Sequence, residues 1–97
     1  MTHTITLVTD VFLSKAEALK TLSELLGSPV DASDPADAVI RLPEGVVLSI
    51  EVPKFGEDLP LTVDLTASDR EALERATQEV IDRVRNSLPW SMTIIGQ

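Results

Sequence analysis

The sequence predicts an α+β fold, a two-layer sandwich of order β-α-β-β-β-α-β with a five-stranded mixed sheet and both helices on one face. Two segments repeat apolar residues at helical spacing, each with a single apolar stripe, while five others alternate apolar and polar residues as half-buried strands do. Hydrophobic residues make up 43% and charged residues 25% of the 97 residues, which is typical of one globular domain spanning 1–97.

The first helix is predicted over Lys15–Leu26. Ser14 and Glu17 have the spacing of a capping box, in which the serine hydroxyl accepts a hydrogen bond from an otherwise unpaired backbone N–H of the first turn. Gly27 stands where a left-handed residue ends a helix, and Pro29 follows it.

The second helix is predicted over Ser68–Leu88, with Ser68 and Glu71 as a second capping box and Pro89 as the residue that stops it. Its apolar stripe recurs every three or four residues and must therefore lie against another layer. The stripe consists of Leu73, Ala76, Val80, Val84 and Leu88.

Five segments are predicted as strands: Thr4–Val8, Val39–Leu42, Val46–Val52, Leu61–Thr66 and Trp90–Gly96. Pro43-Glu44-Gly45 predicts a tight hairpin and Val30–Asp37 a loop. The first and last strands are expected to pair in parallel with others, in an order that the pattern leaves open. The residues predicted to be buried together are Leu22, Leu25, Leu48, Ile50, Val63, Leu65, Leu73, Val80, Val84 and Ile94.

The strands Val46–Val52 and Leu61–Thr66 are predicted to form a second hairpin, connected by Pro53–Pro60. If this connection closes the hairpin symmetrically, Ile50 lies opposite Leu65. Glu51 then lies opposite Asp64, and two like charges directly across a ladder destabilise it mildly. Either the two carboxylates receive an arginine or lysine of a partner, or Arg41 lies close enough to compensate them, or both are simply hydrated.

The predicted outer face of the sheet, opposite the helices, is the candidate binding surface. Apolar side chains beside the two carboxylates would leave a patch that monomers usually break up. The candidate partner-binding residues are Val39, Arg41, Val47, Glu51, Phe55 and Asp64. Phe55 lies in a polar loop and is either folded over the sheet edge or an exposed contact, whereas Trp90 is interpreted as a core residue with an interface role as the alternative.

Few residues of the sequence are candidates for catalysis or for metal binding. The chain has no cysteine or tyrosine and one histidine, His3, beside the N-terminus. Asp31, Asp34 and Asp37 offer oxygen ligands but lack the glycine and terminal glutamate of a calcium loop. We therefore expect no catalytic residue, no cofactor and no metal site, and a carboxylate-based enzyme is the weakest of the functional hypotheses.

A helix–three strands–helix order over residues 14–88 resembles the double-stranded-RNA-binding domain. The resemblance implies phosphate-binding lysines at the start of the last helix, whereas Ser68–Glu74 is acidic here. The net charge of −8 likewise disfavours nucleic acid and anionic membranes and favours basic partners.

The N-terminus has no signal-peptide pattern and no apolar run is long enough to span a membrane, so a cytoplasmic protein is expected. The leading functional hypothesis is a small acidic protein-binding module, an inhibitor, immunity or antitoxin-type partner of a basic protein. The alternative is a non-catalytic homodimer, structural or regulatory, that holds a small ligand; face-to-face pairing of two outer faces would form it.

Overall fold

The computed structural model describes residues 1–34, 37–52 and 59–95 and has two helices and six strands in those ranges. An α+β architecture with helices packed on a sheet is confirmed, but the five-stranded mixed sheet is wrong, because six strands form one sheet in which every pair is antiparallel. The elements are β1 His3–Thr9, α1 Lys15–Leu26, β2 Val30–Asp31, β3 Val39–Arg41, β4 Val47–Glu51, β5 Thr62–Ala67, α2 Arg70–Ser87 and β6 Met92–Ile95.

The strand order is β2-β3-β4-β5-β1-β6, so the first strand of the chain lies inside the sheet. The segment β5–α2–β6 is a split β-α-β unit: its two strands run parallel, but β1 lies between them and is antiparallel to both. The two helical crossovers therefore join parallel strands that are not neighbours. Crossovers that skip strands explain why the expected parallel pairs do not occur.

The additional strand, β2, lies within the segment predicted as a loop over Val30–Asp37. Val30 pairs with Ile40 and Asp31 with Val39, which extends the sheet by one short edge strand. Two residues are too few to show an alternating pattern, and their strand geometry comes from pairing with β3.

The hydrophobic core lies between the helices and one face of the sheet, the inner face. The buried strand residues of this face are Ile5, Leu7, Thr9, Ile40, Leu48, Ile50, Val63, Leu65 and Ala67. Helix α1 contacts β2, β3 and β4, while α2 contacts β5 and β1. Eight of the ten predicted core residues are buried, and Leu25 packs against them partly buried. The prediction for Ile94 is wrong: this residue is 37% exposed and lies on β6, one of the two edge strands of the sheet.

The register between β4 and β5 differs from the prediction by two residues. Ile50 lies opposite Val63, and Asp64 lies opposite Ser49 rather than Glu51. A shift of two residues leaves every side chain on the same face, so the apolar pattern fits both registers equally well. The assumption of a symmetric connection caused the error; residues 53–58 of that connection lie outside the described ranges.

The helix boundaries depend on their caps. Helix α1 has the predicted bounds: Ser14 Oγ accepts from the backbone N–H of Glu17 (3.2 Å), and Gly27 ends it with a φ of 68°. Helix α2 begins later than predicted, because Asp69 and not Ser68 is its N-cap. The carboxylate of Asp69 accepts from the N–H groups of Glu71 and Ala72, at 3.0 and 3.5 Å.

We expect Val84→Ala to lower the free energy of unfolding by about 1–3 kcal/mol, because the buried side chain loses apolar contacts and leaves a cavity. The matched control is Ile95→Ala, which truncates a half-exposed β-branched residue on the sheet edge and should change stability much less. Urea titration of both variants measures the difference, and an unchanged midpoint for Val84→Ala would contradict the placement of α2 on the sheet.

Replacement of the observed cap, Asp69→Ala, should lower the free energy of unfolding by about 0.5–2 kcal/mol, because two backbone N–H groups lose their acceptor. Ser68→Ala is the control at the neighbouring position and should have a smaller effect. Thermal unfolding of the two variants compares the two residues. A larger loss of stability for Ser68→Ala would indicate that Ser68 is the N-cap, as the sequence predicts.

Candidate functional site

The second face of the sheet, which we call the outer face, is a solvent-accessible surface on which side chains are regularly arranged. None of its residues is buried, and both helices pack on the opposite side. Five of the six candidate residues, all except Phe55, lie on it as predicted. Its members are Thr4, Thr6, Val8, Asp31, Val39, Arg41, Val47, Ser49, Glu51, Thr62, Asp64, Thr66, Thr93 and Ile95.

The net charge of the protein is unevenly distributed between its layers. The two helices contain six acidic and six basic residues and are therefore neutral, while strands and loops contain ten acidic residues and only two basic ones, Arg41 and Lys54. The whole charge of −8 therefore belongs to the strands and loops. A surface with one sign of charge attracts oppositely charged partners over a distance of about one Debye length, roughly 8 Å at physiological salt.

Charge on the outer face begins at β5 and extends toward β2, a region that we call the acidic half. Asp64 accepts a hydrogen bond from Thr6 Oγ1 at 2.6 Å and is half-buried, whereas Glu51 is exposed. The two carboxylates are diagonal neighbours, since Glu51 pairs with Thr62 and Ser49 with Asp64. Diagonal neighbours on one face lie roughly 7 Å apart, which leaves room for a guanidinium between them.

Arg41 does not compensate these two carboxylates, so that alternative from the sequence is wrong, whereas a partner's cation and simple hydration both stay open. Its Nε lies 2.6 Å from Oδ2 of Asp31 on the edge strand, and the Ser33 hydroxyl donates to Oδ1 of the same carboxylate at 2.6 Å. The Ser33 hydrogen bonds, followed by the Arg41 contact, hold the pKa of Asp31 well below its usual value. Arg41, the only arginine among the described residues of the outer face, therefore binds Asp31 and not Glu51 or Asp64.

The remaining part of the outer face, on β1 and β6, carries no charge at all; we call it the neutral half. It consists of three threonines and two branched apolar residues, Thr4, Thr6, Val8, Thr93 and Ile95. Rows of the sheet join the two halves: one row runs from Ile95 through Thr6 and Asp64 to Ser49. The outer face therefore has uncharged side chains on β1 and β6 and carboxylates on the neighbouring strands β5 and β4.

A cleft of about 390 Å³ lies on the other side of the molecule, between the end of α1, the hairpin turn at Pro43–Gly45 and α2. Glu44 in that turn has a φ of 64°, a conformation that glycine adopts with less strain, and its carboxylate binds Arg75 at 2.9 Å. This ion pair raises the pKa of Arg75 above its ordinary value. Arg83 likewise binds Glu79 at 3.1 Å. Because both arginines of the cleft are already paired, an anionic ligand would have to displace a carboxylate.

The other predicted candidates have separate outcomes. Phe55 lies outside the described residues. Trp90 is partly buried and packs against the core, in agreement with its interpretation as a core residue. His3 is half-buried at the start of β1, and no group of three or more His, Cys, Asp or Glu side chains within the described ranges is arranged to hold a metal ion.

No protein-family model matches this chain, and no curated protein shows significant sequence similarity to it. Neither of the two helices in the described ranges is long and apolar enough to cross a membrane.

Sequence reasoning missed two features of the outer face. The neutral half was not predicted as one region, because the sequence pattern left the strand order open and no local signal shows that β1 lies beside β6. The Asp31–Arg41 pair was missed because Asp31 was assigned to a loop; no local pattern connects the two residues, which meet through the β2–β3 pairing.

We expect Asp31→Asn to destabilise the edge strand at neutral pH, because Arg41 and Ser33 lose a charged acceptor. A carboxylate whose pKa is lowered by folding stabilises the protein above the ordinary aspartate pKa of about 3.9, and this contribution is lost progressively as the pH falls below that value. The difference in melting temperature between wild type and variant should therefore shrink between pH 7 and about pH 2. A difference independent of pH would contradict a charge-based role.

Proposed function

We propose that the protein is an acidic protein-binding module whose outer face binds a basic protein through Glu51 and Asp64. The observation that carries the proposal is the pair of diagonal carboxylates on an exposed sheet face, in a molecule whose helices are neutral and whose strands and loops hold the entire charge of −8. An inhibitor, immunity or antitoxin-type partner that masks a basic surface is the most specific form of this proposal. Its cytoplasmic location is equally a proposal and rests on the sequence.

The chemistry of the acidic half suits arginine better than lysine. A planar guanidinium presents donors on two sides, so that one group can bind Glu51 and Asp64 together, whereas an ammonium is a compact point charge. Asp64 is already oriented by the Thr6 hydroxyl, which reduces the loss of side-chain freedom on binding. Flanking valines, Val39 and Val47, add apolar contact for the stem of an arginine side chain.

A basic partner should associate rapidly at low salt and more slowly as salt screens the charges, while the contact at the two carboxylates mainly determines the rate of dissociation. The homodimer alternative is favoured by a different observation, the uncharged edge of the sheet at β6. Nothing in the cleft beside Arg75 favours a small ligand over its existing ion pairs.

The test is a comparison of proteins captured by immobilised wild type and by the double variant Glu51→Gln with Asp64→Asn. Basic proteins captured at low salt by the wild type should be depleted on the variant and released by high salt, because both carboxylates are lost. Quantitative mass spectrometry of the eluted proteins measures the depletion.

The matched control is Glu71→Gln with Asp82→Asn, which removes one Glu and one Asp from exposed positions on α2 and changes the net charge by the same amount. If the control loses the same basic proteins, capture depends on overall charge and not on the outer face. If neither variant loses them, the proposed site is wrong.

A further inference from the structure

The two edges of the sheet differ in how they resist the addition of another strand. Strand β2 is only two residues long, follows Pro29 and carries Asp31 in an ion pair. Short length, proline and charge are the devices by which proteins protect a sheet edge. Strand β6 is also short, but its four residues, Met92–Ile95, contain no charge and no proline, and no described strand pairs with its outer side.

The side chains of β6 are exposed on both faces of the sheet. Ile94 points to the helical side and is 37% exposed, while Ile95 belongs to the outer face and is 47% exposed. An edge strand with free backbone groups and apolar side chains on both faces is a template for strand pairing. The start of the strand is held in place by Asp10, whose carboxylate accepts the backbone N–H of Ser91 at 2.8 Å.

We propose that β6 pairs antiparallel with β6 of a second copy of this chain about a twofold axis, which joins the two sheets into one of twelve strands with all helices on one side. Strand β6 is self-complementary in this pairing. The uncharged strand of one copy lies beside the same uncharged strand of the other, and the exposed isoleucines of the two copies contact each other. A twofold axis perpendicular to the sheet keeps the inner faces of both copies in one layer.

The distribution of charge favours this edge pairing over the stacking of two outer faces. In the edge dimer Asp64 lies five strand spacings from its counterpart, about 24 Å, or three Debye lengths at physiological salt. Stacked outer faces would bring the acidic halves of two copies within about 10 Å of each other. The edge dimer also leaves Glu51 and Asp64 exposed, so it is compatible with the proposed binding of a basic protein but does not depend on it.

Four residues form a short pairing, so the dimer is expected to be weak, with a dissociation constant between about 1 µM and 1 mM. Sedimentation equilibrium over this range should show the wild type passing from monomer to dimer. Ile95→Lys should weaken dimerisation on the order of a hundredfold, because the twofold axis brings two like charges to the contact. Val30→Lys is the matched control: Val30 is 38% exposed on the opposite edge strand, and its replacement should leave dimerisation unchanged.

A distance measurement separates edge pairing from face stacking. The chain has no cysteine, so Ser49→Cys on β4 accepts a single nitroxide label. Pulsed electron-spin resonance at a concentration where the dimer forms should give a label separation of about 34 Å, seven strand spacings, against about 10 Å between stacked sheets. A short distance, a wild type that stays monomeric throughout the series, or dimerisation unaffected by Ile95→Lys would each overturn the proposal.

Discussion

Burial of one face of the sheet beneath two helices is the constraint on which the rest of this structure depends. Leu7, Leu65 and Leu48 lie in adjoining strands of the inner face and are fully buried, as is Val84 of α2. Because side chains alternate along a strand, the same burial assigns every intervening residue to the outer face. The composition of the candidate binding surface is thus a consequence of core packing.

The acidic and basic residues of the two helices balance each other, so the net negative charge of the protein lies in its strands and loops. Arg70 with Glu74 and Glu79 with Arg83 form ion pairs four residues apart on the exposed side of α2. Such surface pairs contribute little to stability. Their larger effect would concern the proposed basic partner: because the helical layer has no net charge, long-range attraction of such a partner would be concentrated on the strands and loops.

The two proposed interfaces use different parts of one surface and respond to different variables. The acidic half lies on β5 and the strands toward β2, and the binding proposed for it would depend on salt. The edge at β6 is uncharged, and the pairing proposed for it would depend on protein concentration. Strand β1 separates them and contributes Thr6, which orients Asp64 on one side and pairs with Ile95 on the other. Occupation of one interface therefore leaves the other accessible.

Local periodicity determined much of this protein from the sequence alone. It predicted α1 to the residue and assigned Val39, Arg41, Val47, Glu51 and Asp64 to the outer face, because helical stripes, caps and strand alternation are properties of neighbouring residues. Only the tertiary structure decided the strand order, the additional strand β2, the exposure of Ile94 at an edge and the two-residue change in the β4–β5 register. The physical reason for the register error is that a pattern of period two is unchanged by a shift of two residues. The strand order stays open because a helical crossover of a given length can join neighbouring strands or skip one. In both cases the outcome is decided by pairing between strands that are distant in the sequence.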